Sequence, residues 1–135
     1  MAENAPGQHN SLAGLKILVV DDQFLIASLA EDTLLQAGAG AVVIATNHVA
    51  AQSALSAHDR FDAAVIDINL DGRTAFDLAL LLVGRGVPLI FLTGYGEDAQ
   101  VPAELRDIAV VAKPYTPDML VTPLLEAIRR GHGQG

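Results

Sequence analysis

The chain reads as an α/β domain built on a parallel sheet with helices on both faces. Three observations predict this. Short apolar runs without alternation recur along the chain, the pattern of strands buried on both faces. Longer stretches with apolar residues at helical spacing separate them, giving five βα units whose connections become right-handed crossovers. The composition agrees: 51% of residues are apolar, rich in Ala, Leu and Val, and only 4% are aromatic. A chain of 135 residues can bury a real core and leaves no room for a second domain.

Taken in order, residues 1–13 are small and polar and are expected to form a loose tail, with the packed domain spanning 14–131 and a short tail at 132–135. Leu15 to Val20 predicts the first strand, ending at Asp21-Asp22. From Gln23 to Ala37, residues Leu25, Ile26, Leu29, Ala30 and Leu34 recur at helical spacing, and Gly38 stops the helix. Ala41 to Ala45 is the second strand, and Asn47 caps a helix reaching about Leu55. Phe61 to Asp67 is the third strand, followed by the loop Ile68-Asn69-Leu70-Asp71-Gly72.

Thr74 to Val83 predicts a third helix, apolar nearly all round and ended by Gly84. Pro88 opens a fourth strand, at a position where proline is tolerated, and this strand ends at Thr93. Gly94, Gly96 and Pro102 allow only a short or irregular helix before the fifth strand, Ile108 to Ala112, which ends at Lys113-Pro114. Thr116-Pro117-Asp118 supplies a cap, a proline suited to the first helical position and an acid for the first turn of a helix reaching about Arg130. Pro123 falls inside it and removes a hydrogen bond, so a kink or a frayed first turn is expected.

Charge and composition exclude several classes. Sixteen acids against eight bases give a net charge of −8, unsuited to binding a phosphate backbone, so no nucleic-acid partner is expected. Without Cys there is no disulfide framework, thiolate metal site or Cys nucleophile, which fits a reducing compartment. Met1 to Asn10 lacks the features of a secretory signal, and the longest apolar run falls far short of the roughly 20 residues that span a bilayer. No membrane insertion and a cytoplasmic location are the expectation.

Chemistry gathers at the strand ends. The carboxyl ends of strands in open α/β sheets are where ligands bind. Four of the five predicted strands end in reactive groups: Asp21-Asp22, Asp67, Thr93 and Lys113. Any one of these alone is equally well a surface group, or a loop Asp bonding nearby backbone N–H groups. Together they bring carboxylates, a hydroxyl and an ammonium to one edge. Two carboxylates about 4 Å apart repel by roughly 4 kcal/mol at an effective dielectric near 20, and a divalent cation offsets that cost. All-oxygen donors suit Mg²⁺, and a carboxylate beside it can act as a nucleophile toward phosphorus.

These residues resemble the receiver domain of two-component response regulators, from about Gly14 to Arg130. The resemblance implies a flavodoxin-like (βα)5 doubly wound sheet in the strand order 2-1-3-4-5. It implies that Asp67 accepts a phosphoryl group from a sensor histidine kinase or a histidine phosphotransfer protein. Asp22, Asp21 and Asp67 would hold Mg²⁺ with the carbonyl of Asn69. Lys113 would bind a phosphoryl oxygen, Thr93 would be the switch hydroxyl, and the bond before Pro114 would be cis. Such a domain is not an enzyme beyond catalysing its own phosphorylation and dephosphorylation, and it signals to a downstream protein target through its surface.

Two positions depart from the usual receiver pattern. Val110 stands where many receivers carry an aromatic in strand five, and no Pro precedes Gly72. The stretch Pro88-Leu89-Ile90-Phe91-Leu92-Thr93-Gly94-Tyr95 is similar to a subgroup with Pro-Phe-x-Phe-Ala-Thr-Gly-Tyr. That similarity implies a responsive role for Tyr95; a loop Tyr packed on the sheet edge is the alternative. With no effector domain following, a stand-alone response regulator or phosphorelay member is expected. The first helix is the expected kinase-docking surface, with Leu25 and Ile26 as candidate contacts. A haloacid-dehalogenase-type phosphohydrolase is a competing reading, but it wants an acid where Asn69 stands. A receiver-like binding module that is never phosphorylated is the other.

Overall fold

The computed structural model describes residues 11–57, 60–70, 72–94 and 100–133. Five parallel strands form the sheet: β1 (Lys16–Val20), β2 (Ala41–Ala45), β3 (Ala63–Asp67), β4 (Leu89–Thr93) and β5 (Val110–Ala112). Their spatial order is β2-β1-β3-β4-β5, the doubly wound arrangement expected. Among the described residues four α-helices accompany them: α1 (Phe24–Gln36), α2 (His48–Ala57), α3 (Phe76–Gly84) and α4 (Pro117–Gly133). Between β4 and β5 the described residues hold a single 3-10 turn, Ala103–Leu105, in keeping with the helix breakers around it.

The core divides across the sheet by strand alternation. Ile17, Val19, Val65, Ile90 and Leu92 pack with α1 and α4 on one face. Leu18, Val20, Ile66 and Phe91 pack with α2, α3 and Leu105 on the other. Strand β3 is buried throughout, as its unbroken apolar run predicts.

Several local readings hold. Asn47 Oδ1 accepts the Ala50 N–H at 2.7 Å and caps α2. Gly38, at φ 104°, turns the chain out of α1, a conformation side chains with a Cβ resist. Thr116 Oγ1 accepts the Met119 N–H at 3.4 Å ahead of Pro117.

Other readings are corrected. In α1 the buried residues are Ala27, Ala30 and Leu34; Leu29, counted in the apolar periodicity, is 61% exposed, and Leu25, the candidate contact, is 77% exposed. Small residues let the helix lie close to the sheet, and the large ones turn outward. Leu12, placed in the expected tail, is fully buried, and its N–H donates to Ala37 O at 2.8 Å. At the other end α4 continues to Gly133, through the position where the C-terminal tail was expected to begin, and its first turn is helical from Pro117 on. Pro123 sits within this one continuous helix. Helix α3 starts at Phe76, and Gly84 is its last residue; the turn to positive φ falls at Gly86. The residues just before α3 form a two-residue antiparallel ribbon, Asn69–Leu70 against Arg73–Thr74, turned at Gly72 with φ 80°.

Candidate functional site

Register brings the reactive strand ends together. Val20 pairs with Ala45 on one side and Ile66 on the other, so Asp21 and Asp67 leave adjacent strands at the same level. Thr93 pairs with Ala112, one residue before Lys113, and Thr93 O accepts the Lys113 N–H at 2.8 Å. The Lys113–Pro114 peptide is cis.

Lys113 lies at the centre. Its ammonium is 2.7 Å from Asp67 Oδ2 and 2.9 Å from Asp21 Oδ2, and it donates to Gln23 Oε1 at 3.2 Å. Both carboxylates are tied to the backbone: Asp21 Oδ1 accepts the Gln23 N–H at 2.9 Å, and Asp67 Oδ1 accepts the Asn69 N–H at 3.0 Å. Asp21 is fully buried and Asp67 4% exposed, whereas Asp22 is exposed at the mouth. The expected acid pair is thus split between an inner and an outer carboxylate. Asp21 extends β1 between its two neighbours, and Asp22 follows where the chain turns toward α1.

The electrostatics follow from burial. Removal from water pushes the Asp67 carboxyl up to about 6 from 3.8, and the neighbouring Asp21 charge adds to this, against the opposing pull of Lys113 and the Asn69 N–H. Burial works against the Lys113 charge, but hydrogen bonding and attraction to Asp67 and Asp21 outweigh it and raise the ammonium above its usual value.

Asp21, Asp22 and Asp67 each offer an oxygen within 4.8 Å of the others, the donor set of a hard divalent cation. Asp21 Oδ2 fits that role. It is buried, and beyond its ion pair with Lys113 it has no partner among the described residues, which leaves it a lone pair. Asn69 is exposed beside the cluster, on the short ribbon that follows β3. Tyr95 and Asp71 lie outside the described residues.

A family model for the response regulator receiver domain matches residues 17–125. The chain belongs to the response regulator receiver family. This receiver is 26% identical over 127 residues to a chemotaxis protein CheY homolog of Campylobacter jejuni, covering 90% of this chain and 98% of that one. It is similar to the solution structure of SdrG from Sphingomonas melonis Fr1, with 33% identity, a TM-score of 0.68, and coverage of 86% of this chain and 97% of that one. A putative response regulator from Chloroflexus aurantiacus is 26% identical, with a TM-score of 0.70 and coverage of 87% and 99% respectively. Receivers are signalling modules rather than enzymes of the usual kind. No helix among the described residues of this one is long and apolar enough to cross a membrane.

One residue of the receiver's site was missed in the sequence. Gln23 serves Asp21 with its N–H and Lys113 with its side chain, and its only signal was its place after the acid pair. Tyr115 is half-buried against the α1 and α4 core, with its hydroxyl buried.

Proposed function

We propose that this receiver accepts a phosphoryl group on Asp67 from the phosphohistidine of a kinase or phosphotransfer protein, in a Mg²⁺-dependent reaction, and signals by protein contacts or by passing the group on. The observation that carries the reading is the Lys113 ammonium held 2.7 Å from Asp67 Oδ2 and 2.9 Å from Asp21 Oδ2. A carboxylate kept for structure alone does not need a second buried acid and a shared cation around it.

In the proposed step an Asp67 oxygen attacks phosphorus as the P–N bond of the donor breaks. The electron pair leaves on the imidazole nitrogen, which takes up a proton. Mg²⁺, held by Asp21, Asp22, Asp67 and the Asn69 carbonyl, would supply charge neutralisation on the transferring group. Lys113 needs only a small shift to meet a phosphoryl oxygen, because it already touches the nucleophile. The Asn69 N–H fixes one carboxylate oxygen of Asp67 and leaves the other to react. Thr93, at the end of the adjacent strand β4, would be the hydroxyl drawn toward the phosphoryl group.

Incubation with Mg²⁺ and acetyl phosphate, followed by mass spectrometry, tests the reading. A single acyl phosphate at Asp67, absent from Asp67→Asn and absent after chelation, is the expected result. No adduct under conditions that label another receiver would overturn it. Turnover of phosphomonoesters would favour a hydrolase instead.

A further inference from the structure

The two outer strands of the sheet, β2 and β5, are built differently. An outer strand presents N–H and C=O groups to any chain that can pair with it, and proteins guard such edges with short strands, charges or proline. Strand β5 is guarded: it is three residues long and runs into Lys113-Pro114. Strand β2 is not. It is five residues long, Ala41-Val42-Val43-Ile44-Ala45, β-branched at its centre, with no charge and no proline. No Asp, Glu, Lys or Arg occurs between Asp32 and Asp59, the longest such interval in the chain. That interval holds β2 and all of α2, so both elements are free of acids and bases although the chain carries −8. The exposed residues of α2 are Val49, Gln52, Ser53, Ser56 and Ala57, with Val49 at 76%.

We propose that β2 pairs antiparallel with β2 of a second copy of this chain, joining two sheets into one across a two-fold axis. Backbone alternation fixes the register. Ala41 N–H donates to Leu15 O and Ala45 O accepts the Asp21 N–H, so Ala41, Val43 and Ala45 turn their polar backbone groups toward β1. Val42 and Ile44 then turn theirs to the outer edge. An axis through Val43 sets Val42 opposite Ile44 of the second copy, and Ile44 opposite its Val42. Each such pair exchanges two backbone hydrogen bonds. The choice of occupant follows from charge. Copies carrying −8 repel wherever acids face each other, and an uncharged edge lets them meet without burying a charge. A basic partner would gain nothing here, and two-fold pairing needs only the one patch that each copy already has. Val42, Val43 and Ile44 are only partly buried in the single copy, and the second strand would cover more of them.

Sedimentation of the full chain, without Mg²⁺ or the phosphoryl mimic beryllofluoride, tests this independently of the phosphoacceptor reading. The mass should climb from 14.1 kDa toward twice that value between about 1 μM and about 1 mM, the range of a small interface. Salt should strengthen the association, because it screens like charges and this interface has no ion pair to lose. Hydrogen exchange followed by NMR should slow several-fold at the Val42 and Ile44 amides as concentration rises. The chain has no Cys, so single replacements report the pairing cleanly. Val43→Cys would face its own copy at about 4.5 Å between Cα atoms, within disulfide reach, and should cross-link under mild oxidation. Ala41→Cys is more exposed but lies opposite Ala45 of the second copy, and should not cross-link. A mass of 14.1 kDa throughout would leave the edge to water or to another protein and overturn the proposal. So would a dimer that salt dissolves, one whose Val42 and Ile44 amides exchange as fast as in the monomer, or one in which Ala41→Cys cross-links as readily as Val43→Cys.

Discussion

Lys113 and Asp67, 46 residues apart in the chain, meet at 2.7 Å between Nζ and Oδ2. The same ammonium is 2.9 Å from Asp21, so one cation holds two buried anions in place. Removing it leaves both carboxylates buried without their counter-charge. Lys113→Met should therefore destabilise the metal-free protein at neutral pH by about 3–5 kcal/mol, the usual cost of breaking a buried pair from one side. Urea unfolding with and without Mg²⁺ checks this, and the cation should return part of the loss. A variant as stable as the wild type would mean that solvent already screens the pair.

Asp67 makes metal-free stability depend on pH. Its folded pKa, about 6, lies above the ordinary 3.8, so the folded state holds the proton more tightly than the unfolded one. The resulting stabilisation is full below about pH 4 and is lost as pH rises through about 6. The two ends of that window differ by up to about 3 kcal/mol, at roughly 1.4 kcal/mol per unit. Lys113, raised above 10.5, is lost only at much higher pH and does not oppose this trend in the window. Asp67→Asn cannot ionise and should flatten the curve. Denaturant midpoints from pH 4 to 8 in the presence of chelator test it; a wild-type curve that rises between pH 4 and 6 while the variant's is flat contradicts the sign.

The main lines of this fold were legible because β3 and its neighbours are apolar without a break, and because Asp67, Thr93 and Lys113 each follow such a run directly. The division of labour in Asp21-Asp22 was not legible. Two identical side chains in succession carry no sign of which continues the strand; only pairing of β1 with both β2 and β3 buries the first. Helix α1 misled for a different reason. Periodicity weights large apolar residues, yet Ala27 and Ala30 form the contact face while Phe24, Leu25 and Leu29 point outward. Such exposed bulk beside the acidic cluster is what a partner-facing helix would carry.

The outer place of Asp22 separates metal binding from folding. Because it is exposed, neutralising it should change ligand-free stability by no more than about 0.5 kcal/mol. As a metal ligand, it should still be required for Mg²⁺. Saturating Mg²⁺ at about 100 times its Kd would stabilise the wild type by about 2.7 kcal/mol. Asp22→Asn should abolish most of that gain while melting near the wild-type temperature in chelator. Calorimetric scans across a Mg²⁺ series give both quantities. An undiminished Mg²⁺ response would remove Asp22 from the ligand set.

Leu12 draws the segment ahead of β1 into the core. The residues around it are small and polar, with no periodicity to announce a core position. In the fold it is fully buried in the α1 and α4 cluster, and its N–H closes onto Ala37 O beyond the end of α1. Gly14 and Gly40 add to this seam through backbone bonds to Gly38 and Leu15. Leu12→Ala should then cost about 2–5 kcal/mol, as truncation of a packed leucine does elsewhere. It lies at the edge opposite the acidic cluster, so beryllofluoride affinity of the folded fraction should not change. Chemical unfolding measures the first and fluorine NMR the second. A loss under about 0.5 kcal/mol, the range of an ordinary surface substitution, would return this segment to a loose tail.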